Sequence, residues 1–262
     1  MSSNVFNLNR FLLLGKQHFI HNTKFLLLST VAYIGVVFIV LSIAQAGNDL
    51  LPLDLNAFQG FLIVCVSVFA ILYVGHSFPA FRSKESTINY LMLPASVLEK
   101  FLFEFVVRIV ILIPTLPLLY WVTFHLQGYV FAMFTEATFV PIEPRYLLQI
   151  EDVPDGYHFV IYTLTTASVL LALVLAFTGA VMFTKQPLVK TLFSVAVIVM
   201  FFMLYSYIVI MHLGVGRYNP PDTMFLVPMN NPRALQLISM ALILTILVML
   251  FVAYRKLKER EV

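Results

Sequence analysis

Charged residues are scarce in this chain, and their scarcity excludes an ordinary soluble fold. Only 11% of the 262 residues are Asp, Glu, Lys or Arg, whereas a soluble domain carries roughly 25%. Hydrophobic residues make up 61% of the chain, and the mean hydropathy is +0.94. A core of this length cannot bury so much apolar surface, so the excess must face lipid. The composition therefore predicts an all-α integral membrane protein.

Cysteine and reactive motifs are also nearly absent. The single cysteine, Cys65, excludes an intrachain disulfide and leaves the redox compartment open. The sequence contains no H-E-x-x-H metal spacing, no G-x-S-x-G nucleophile elbow and no G-x-x-x-x-G-K-[ST] phosphate loop. We interpret the histidines near the ends of apolar runs as interfacial anchors: His76, His125, His158 and His212. We therefore expect no enzyme activity, no cofactor and no metal in this chain itself.

Six apolar runs are long enough to cross a bilayer, which takes about 20 helical residues. They lie near residues 25–43, 58–78, 101–124, 159–183, 191–213 and 235–254. Each should be a helix, because lipid offers no water to unpaired backbone groups. Pro114 and Pro117 fall inside the third run and should kink it.

The basic residues predict the orientation of the chain. Of the 16 Lys and Arg residues, 13 lie before span one, between spans two and three or just inside span three, between spans four and five, or after span six. Only Arg145, Arg217 and Arg233 lie on the other side, where eight of the 13 acidic residues are found. By the positive-inside rule, we expect both termini to be cytoplasmic.

We expect a single six-helix transmembrane domain over residues 1–262. Residues 1–24, which include "VFNLNRFLLLGKQHFIHNTK", form an amphipathic pattern that favours a helix in the cytoplasmic interface. The alternative is a simple cytoplasmic extension of span one. Residues 125–158 and 214–234 should be extracytoplasmic loops, and the second is compatible with either a short re-entrant turn or a surface loop.

The cytoplasmic segment 79–100, between spans two and three, carries a local helix-start signal. In "SVLE", Ser96 and Glu99 have the spacing of a capping box, in which each side chain bonds the other residue's backbone N–H. Pro94 just before it should stop any helix running in from residue 91. We therefore expect the third helix to start at Ser96 and a separate short helix to cover about residues 84–91. The alternative is an ordinary intracellular loop.

A charged pair lies just inside the third span. Glu104 and Arg108 are four residues apart, which places them on one helix face. Two interpretations are open: a structural pair that anchors the helix, or a pair that transmits motion or contacts a partner. In the second case, the pair would hold the start of span three against the N-terminal helix. No acidic residue lies deeper in the spans, which disfavours an ion-coupled carrier.

The stretch "YLMLPASVLEKF" (residues 90–101), together with six spans and no nucleotide site, resembles permease subunits of bacterial exporter-type ("type 2") ABC transporters. The resemblance implies that the segment between spans two and three is a coupling helix, here roughly residues 82–93. It implies contacts with an ATP-binding cassette subunit by Arg82, Lys84, Glu85, Asn89 and Tyr90. The hinge and cap would be Pro94, Ser96 and Glu99.

The same resemblance implies a wider assembly. ATP and Mg²⁺ would bind in the partner ATP-binding subunit, a second permease copy would complete the complex, and the location would be the bacterial inner membrane. The long loop at 125–158 departs from a minimal permease of this kind. It suits the alternative function, a non-transporting scaffold or accessory subunit of a larger membrane complex. A membrane-embedded enzyme is the third class, and the lack of a reactive cluster counts against it. The sequence names no substrate.

Overall fold

The computed structural model describes residues 7–47, 54–82, 87–88, 90, 92, 95–135, 139–147, 157–183, 185–211 and 232–261. Within these ranges all regular secondary structure is helical, as the composition predicts. The α-helices are α1 (Leu8–Ala46), α2 (Leu55–Val74), α3 (Val97–Phe105), α4 (Leu112–Ala132), α5 (His158–Met182), α6 (Pro187–Met211) and α7 (Pro232–Glu261). Short 3-10 turns cover Pro79–Arg82 and Pro144–Leu147.

Six helical stretches are long and apolar enough to cross a membrane, which confirms the predicted number of spans. They are Asn22–Ala46, Ala57–Val74, Val97–Ala132, His158–Met182, Pro187–Tyr205 and Leu235–Arg260. The described residues are thus those of a helical, multi-pass membrane protein. The cytoplasmic location of both termini stays a prediction.

The first helix includes both the predicted N-terminal helix and span one. α1 runs without a break from Leu8 to Ala46, through the boundary predicted at residue 24. Its 39 residues span about 58 Å at 1.5 Å per residue, nearly twice the hydrocarbon thickness of roughly 30 Å. No proline interrupts this stretch, and the leucines and phenylalanines on both sides of Lys24 are compatible with helix. The N-terminal helix is therefore continuous with span one, and its location in the cytoplasmic interface stays a prediction.

The third span is irregular in its first half. A π-helical turn, Val106–Val110, joins α3 to α4, and the Ile111 N–H reaches back to the Val106 carbonyl at 2.9 Å. The turn lies just before Pro114, whose missing N–H cannot bond the Val110 carbonyl. A π turn inserts one extra residue and so rotates the faces before and after it.

The predicted loop at 125–158 begins later than expected, because α4 continues to Ala132. Apolar residues such as Leu126, Tyr129 and Val130 extend the helix, and Gly128 does not break it. Most of the predicted loop at 214–234 lies outside the described residues, and α7 begins at Pro232.

The internal contacts divide the chain into two compact units. Unit 1 contains Met1–Tyr73 and Leu91–Ile150. Within it the Tyr33 hydroxyl of α1 donates to the Leu116 carbonyl of α4 (3.1 Å), and the Tyr120 hydroxyl of α4 donates to the Phe58 carbonyl of α2 (2.9 Å). A buried pair, Gln127 and Gln45, adds a bond of 2.7 Å between α4 and α1. Polar bonds therefore connect α4 with α1 and with α2.

Unit 2 contains Val74–Tyr90 and Glu151–Val262. α5 packs along α7, and their buried surface includes Phe177, Val181, Ala253 and Leu257. α5 also meets α6 where Gly179 faces Thr191, so closely that a Cβ on Gly179 would overlap the Thr191 side chain. The single domain expected over residues 1–262 stays a prediction.

Candidate functional site

The predicted capping box is present at the start of the third span. The Ser96 N–H donates to Glu99 Oε2 at 2.8 Å, and the Glu99 N–H donates to Ser96 Oγ at 3.2 Å. Ser96 has extended backbone angles (φ −70°, ψ 154°), as an N-cap residue requires, and α3 begins at Val97. The prediction that the third helix starts at Ser96 is confirmed.

Glu99 also binds the first turn of α1, which the sequence did not indicate. Its Oε1 accepts from the Asn7 N–H at 2.7 Å and lies 3.2 Å from Arg10 Nη2. The Glu99 side chain is fully buried, whereas the Arg10 side chain is 27% exposed. Asn7 in turn caps α1, because its Oδ1 accepts from the Asn9 N–H at 2.9 Å. One buried carboxylate therefore fixes the N-termini of two helices to each other.

Aromatic packing extends this joint by one turn. The Phe103 ring lies edge-on to Phe11 and His18 of α1, with ring centroids 5.9 and 5.2 Å apart. Phe103 follows Glu99 by four residues and shares its helix face. The face of α3 that carries both residues is therefore the face that packs on α1.

Glu104 and Arg108 form the predicted pair, but they face a different helix. Arg108 Nε lies 3.3 Å from Glu104 Oε2, and both side chains are buried. The Arg108 guanidinium stacks 4.6 Å from the Tyr73 ring centroid, and its Nη1 donates to the Tyr73 carbonyl at 3.4 Å. Tyr73 belongs to the last turn of α2. The pair therefore binds the end of span two.

The hypothesis that this pair holds span three against the N-terminal helix is thus corrected, because Glu99 has that role. Position 104 lies about 140° around the helix from position 99, so the two acidic side chains cannot face the same neighbour. Arg108 lies in the π turn, which sequence spacing alone did not reveal.

The segment after α2 is anchored within unit 2. Phe81 lies edge-on to Tyr90, with ring centroids 5.3 Å apart, and the Arg260 guanidinium lies 5.3 Å from the centre of the Phe81 ring. Arg260 Nη2 also donates to the Met182 carbonyl at 3.0 Å, at the end of α5. An arginine is well suited to this place, because the last carbonyls of a helix lack partners and carry partial negative charge.

Phe78 makes a second anchor for the same segment. Its ring centroid lies 5.3 Å from that of Phe177 on α5, and it is almost completely buried. The backbone of Phe78 has φ 52°, a left-handed conformation that is costly for a bulky residue. Packing of the ring against α5 provides a compensating interaction.

Five of the ten predicted site residues have described side chains: Tyr90, Ser96, Glu99, Glu104 and Arg108. Arg82 ends a 3-10 turn, and Lys84, Glu85, Asn89 and Pro94 lie outside the described residues. Thr87, Ile88 and Tyr90 are helical, and the other residues of the short helix expected near 84–91 lie outside the described residues. Asn7, Arg10, Tyr73 and Arg260 were missed, because each acts on a residue far away in the sequence.

The described side chains include no group of three or more His, Cys, Asp or Glu residues placed to hold a metal ion. The segment between spans two and three is packed against α5 and α7 on one side, and continues into a span whose first turn is bonded to α1.

Comparison with known proteins gives no relative: the chain matches no family model, no curated protein and no solved structure.

Proposed function

We propose that this chain is the membrane-spanning permease subunit of an ATP-driven ABC exporter, with ATP and Mg²⁺ bound by a separate subunit. The observation that carries the proposal is the network around Glu99. A coupling segment transmits force to a span only where the junction between the segment and the span is rigid. Here one buried carboxylate caps the span and binds the first turn of α1 through the Asn7 N–H and Arg10.

The entry to the segment supports the same function. Phe78 and Phe81 pack against α5 and the Arg260 side chain of α7, so a push on the segment acts on those helices as well. Glu104 and Arg108 hold the last turn of α2, from which the segment emerges. Under this proposal the partner subunit contacts Arg82, Lys84, Glu85, Asn89 and Tyr90, and the complex lies in the bacterial inner membrane.

The first test is the identity of the partner. The tagged chain is purified in mild detergent from its native membrane, and the bound proteins are identified by mass spectrometry. We expect an ATP-binding cassette subunit in about equal amount and a second permease copy. A stable complex that contains no ATP-binding subunit would contradict the proposal.

The second test uses the coupling segment. Replacing Arg82, Lys84 and Glu85 together with Ala should abolish the permease-dependent part of the partner's ATPase activity, because the docking charges are lost. A double replacement of the exposed pair Glu143 and Arg145, whose charged atoms are 2.9 Å apart, is the control and should leave that activity unchanged. Unchanged ATPase activity in the triple variant, with normal expression, would refute this role for the segment.

The alternative function is a non-transporting scaffold or accessory subunit. One observation favours it: residues 139–147 are packed on α4 through Phe139 and Ile142. A fixed outer segment suits a lasting protein contact. Purification with other membrane proteins and without an ATP-binding subunit would support this alternative.

A further inference from the structure

Residues 139–147, which we call the strap, are fastened to α4 by two hydrogen bonds to one residue. The Trp121 Nε1–H donates to the Ile142 carbonyl at 2.8 Å, and the Ile142 N–H donates to His125 Nε2 at 3.2 Å. Both backbone groups of Ile142 are thus bonded by side chains one helical turn apart. The Ile142 N–H and carbonyl are therefore both paired, as in a β-sheet, but by two side chains instead of a neighbouring strand.

The partners of His125 fix its protonation state. Because the Ile142 N–H must donate, Nε2 carries the lone pair; because the Trp121 carbonyl must accept, Nδ1 carries the hydrogen in its contact of 2.8 Å. Only the neutral imidazole with its proton on Nδ1 satisfies both partners. Adding a proton to Nε2 would set two N–H donors against each other.

An aromatic plug holds the strap at a second point. The Phe139 ring packs edge-on against His125 and at a steep angle against Tyr129, with ring centroids 5.6 and 5.1 Å apart. The ring occupies space left by Gly128, where an added Cβ would overlap it. His125 therefore contacts the strap twice, through the Phe139 ring and through the Ile142 N–H.

The surroundings contain few charged groups that can replace the lost acceptor. Among the described residues, the other titratable or charged groups on the two elements are Tyr120 and Tyr129 on α4, and Glu143, Arg145 and Tyr146 on the strap. Glu143 and Arg145 are largely exposed and paired with each other. The His125 side chain is only partly buried.

We infer that His125 and Trp121 form a proton-operated latch: neutral His125 holds the strap on α4, and protonation at Nε2 releases it. The proton adds to the Nε2 lone pair, the Ile142 N–H loses its acceptor, and the Trp121–Ile142 bond opens with it. The charged ring keeps its Nδ1 bond to the Trp121 carbonyl and its contact with the indole, 4.3 Å between centroids. The strap therefore moves while α4 stays intact. This latch does not depend on the proposed transport function.

The chain contains a built-in reporter, because Trp121 is its only tryptophan. We expect the emission of the purified protein in detergent to shift to longer wavelength on acidification, since the indole N–H exchanges a carbonyl for water. The shift should accompany the addition of the proton to His125 Nε2. Strap motion is measured independently with a nitroxide on Val140→Cys in a Cys65→Ala background. Its spectrum should sharpen over the same pH range.

Three variants separate the latch from other histidines. His125→Gln offers an acceptor that does not titrate, so the strap should stay bound and the transition should vanish. His125→Phe keeps a ring without an acceptor, so the released signals should appear at every pH. His158→Gln removes a histidine at the start of α5 and should keep the wild-type transition.

Two outcomes would overturn the inference. The first is that Trp121 emission and the label on Val140 stay constant from pH 8 to pH 5 in the wild type. The second is that His125→Gln keeps the transition. The wild-type titration decides the matter even if a variant at position 125 fails to fold. Size-exclusion profiles at each pH exclude general unfolding as the source of the shift.

Discussion

At the scale of single residues, Glu99 shows how a charge can be buried in a membrane protein without being left unpaired. Its two oxygens accept from the Ser96 and Asn7 backbone N–H groups and face the Arg10 guanidinium. A buried carboxylate without such partners would be costly, whereas one with several charge-assisted bonds is stabilising. Glu99 therefore fixes the position of the first turn of α3 relative to the first turn of α1.

Replacing Glu99 with Gln should lower the stability of unit 1. The amide keeps one acceptor oxygen but loses the charge and the second acceptor, so we expect a cost of about 1.5–3 kcal/mol. The measurement is the unfolding midpoint of the purified protein in detergent. Glu259→Gln is the control, because its partner Lys256 is exposed and that pair should contribute nothing measurable. Equal midpoints for the two variants would contradict this role of Glu99.

Arg108 and Tyr73 should show energetic coupling. The guanidinium stacks on the Tyr73 ring and is buried, so a double-mutant cycle with Arg108→Met and Tyr73→Leu should give about 0.5–2 kcal/mol. Tyr73→Phe keeps the ring and the backbone carbonyl and should retain most of the coupling. Additive effects of Arg108→Met and Tyr73→Leu would show that the stacking contributes no net energy.

At the scale of helices, the close contact between α5 and α6 depends on one glycine. Gly179 leaves room for the Thr191 side chain, and an alanine there would collide with it. In membranes, small residues at a helix crossing allow the backbones to approach and gain dispersion contacts. α5 therefore contacts two helices of unit 2: it packs along α7 and crosses α6 at Gly179.

Gly179→Ala should destabilise unit 2 by about 1–3 kcal/mol, the usual cost of overpacking. Adding Thr191→Gly should restore part of the loss by removing the colliding side chain. Gly35→Ala on α1 is the matched control, because no atom lies within 4 Å of its added Cβ. That variant should be neutral or slightly stabilising. A Gly179→Ala protein as stable as Gly35→Ala would refute the close crossing.

At the scale of the whole molecule, the chain passes from unit 1 into unit 2 after Tyr73 and returns to unit 1 at residue 91. The intervening segment is fixed inside unit 2 by Phe78, Phe81 and Arg260, and the next helix is fixed inside unit 1 by Glu99.

Arg260→Gln should loosen the segment in unit 2. It removes the stacking on Phe81 and weakens the bond to the Met182 carbonyl, so we expect a loss of about 1–2 kcal/mol. Under the proposed function it should also lower the permease-dependent ATPase activity of the partner. Arg255→Gln is the control, since its described ring contact is Phe251 on the same helix. Arg260→Gln with wild-type stability would argue against the anchor.

The sequence by itself determined the spans and the start of the third helix. Hydropathy works because lipid leaves each spanning segment to satisfy its own backbone, and a capping box works because its partners are three residues apart. Only the tertiary structure decided what Glu99, Arg108, Arg260 and His125 bind. The Asn7–Glu99 bond joins residues 92 positions apart, and the π turn changes which face Arg108 presents. Hydropathy and capping rules concern residues that are close in the sequence, whereas these partners become neighbours only after the helices have packed.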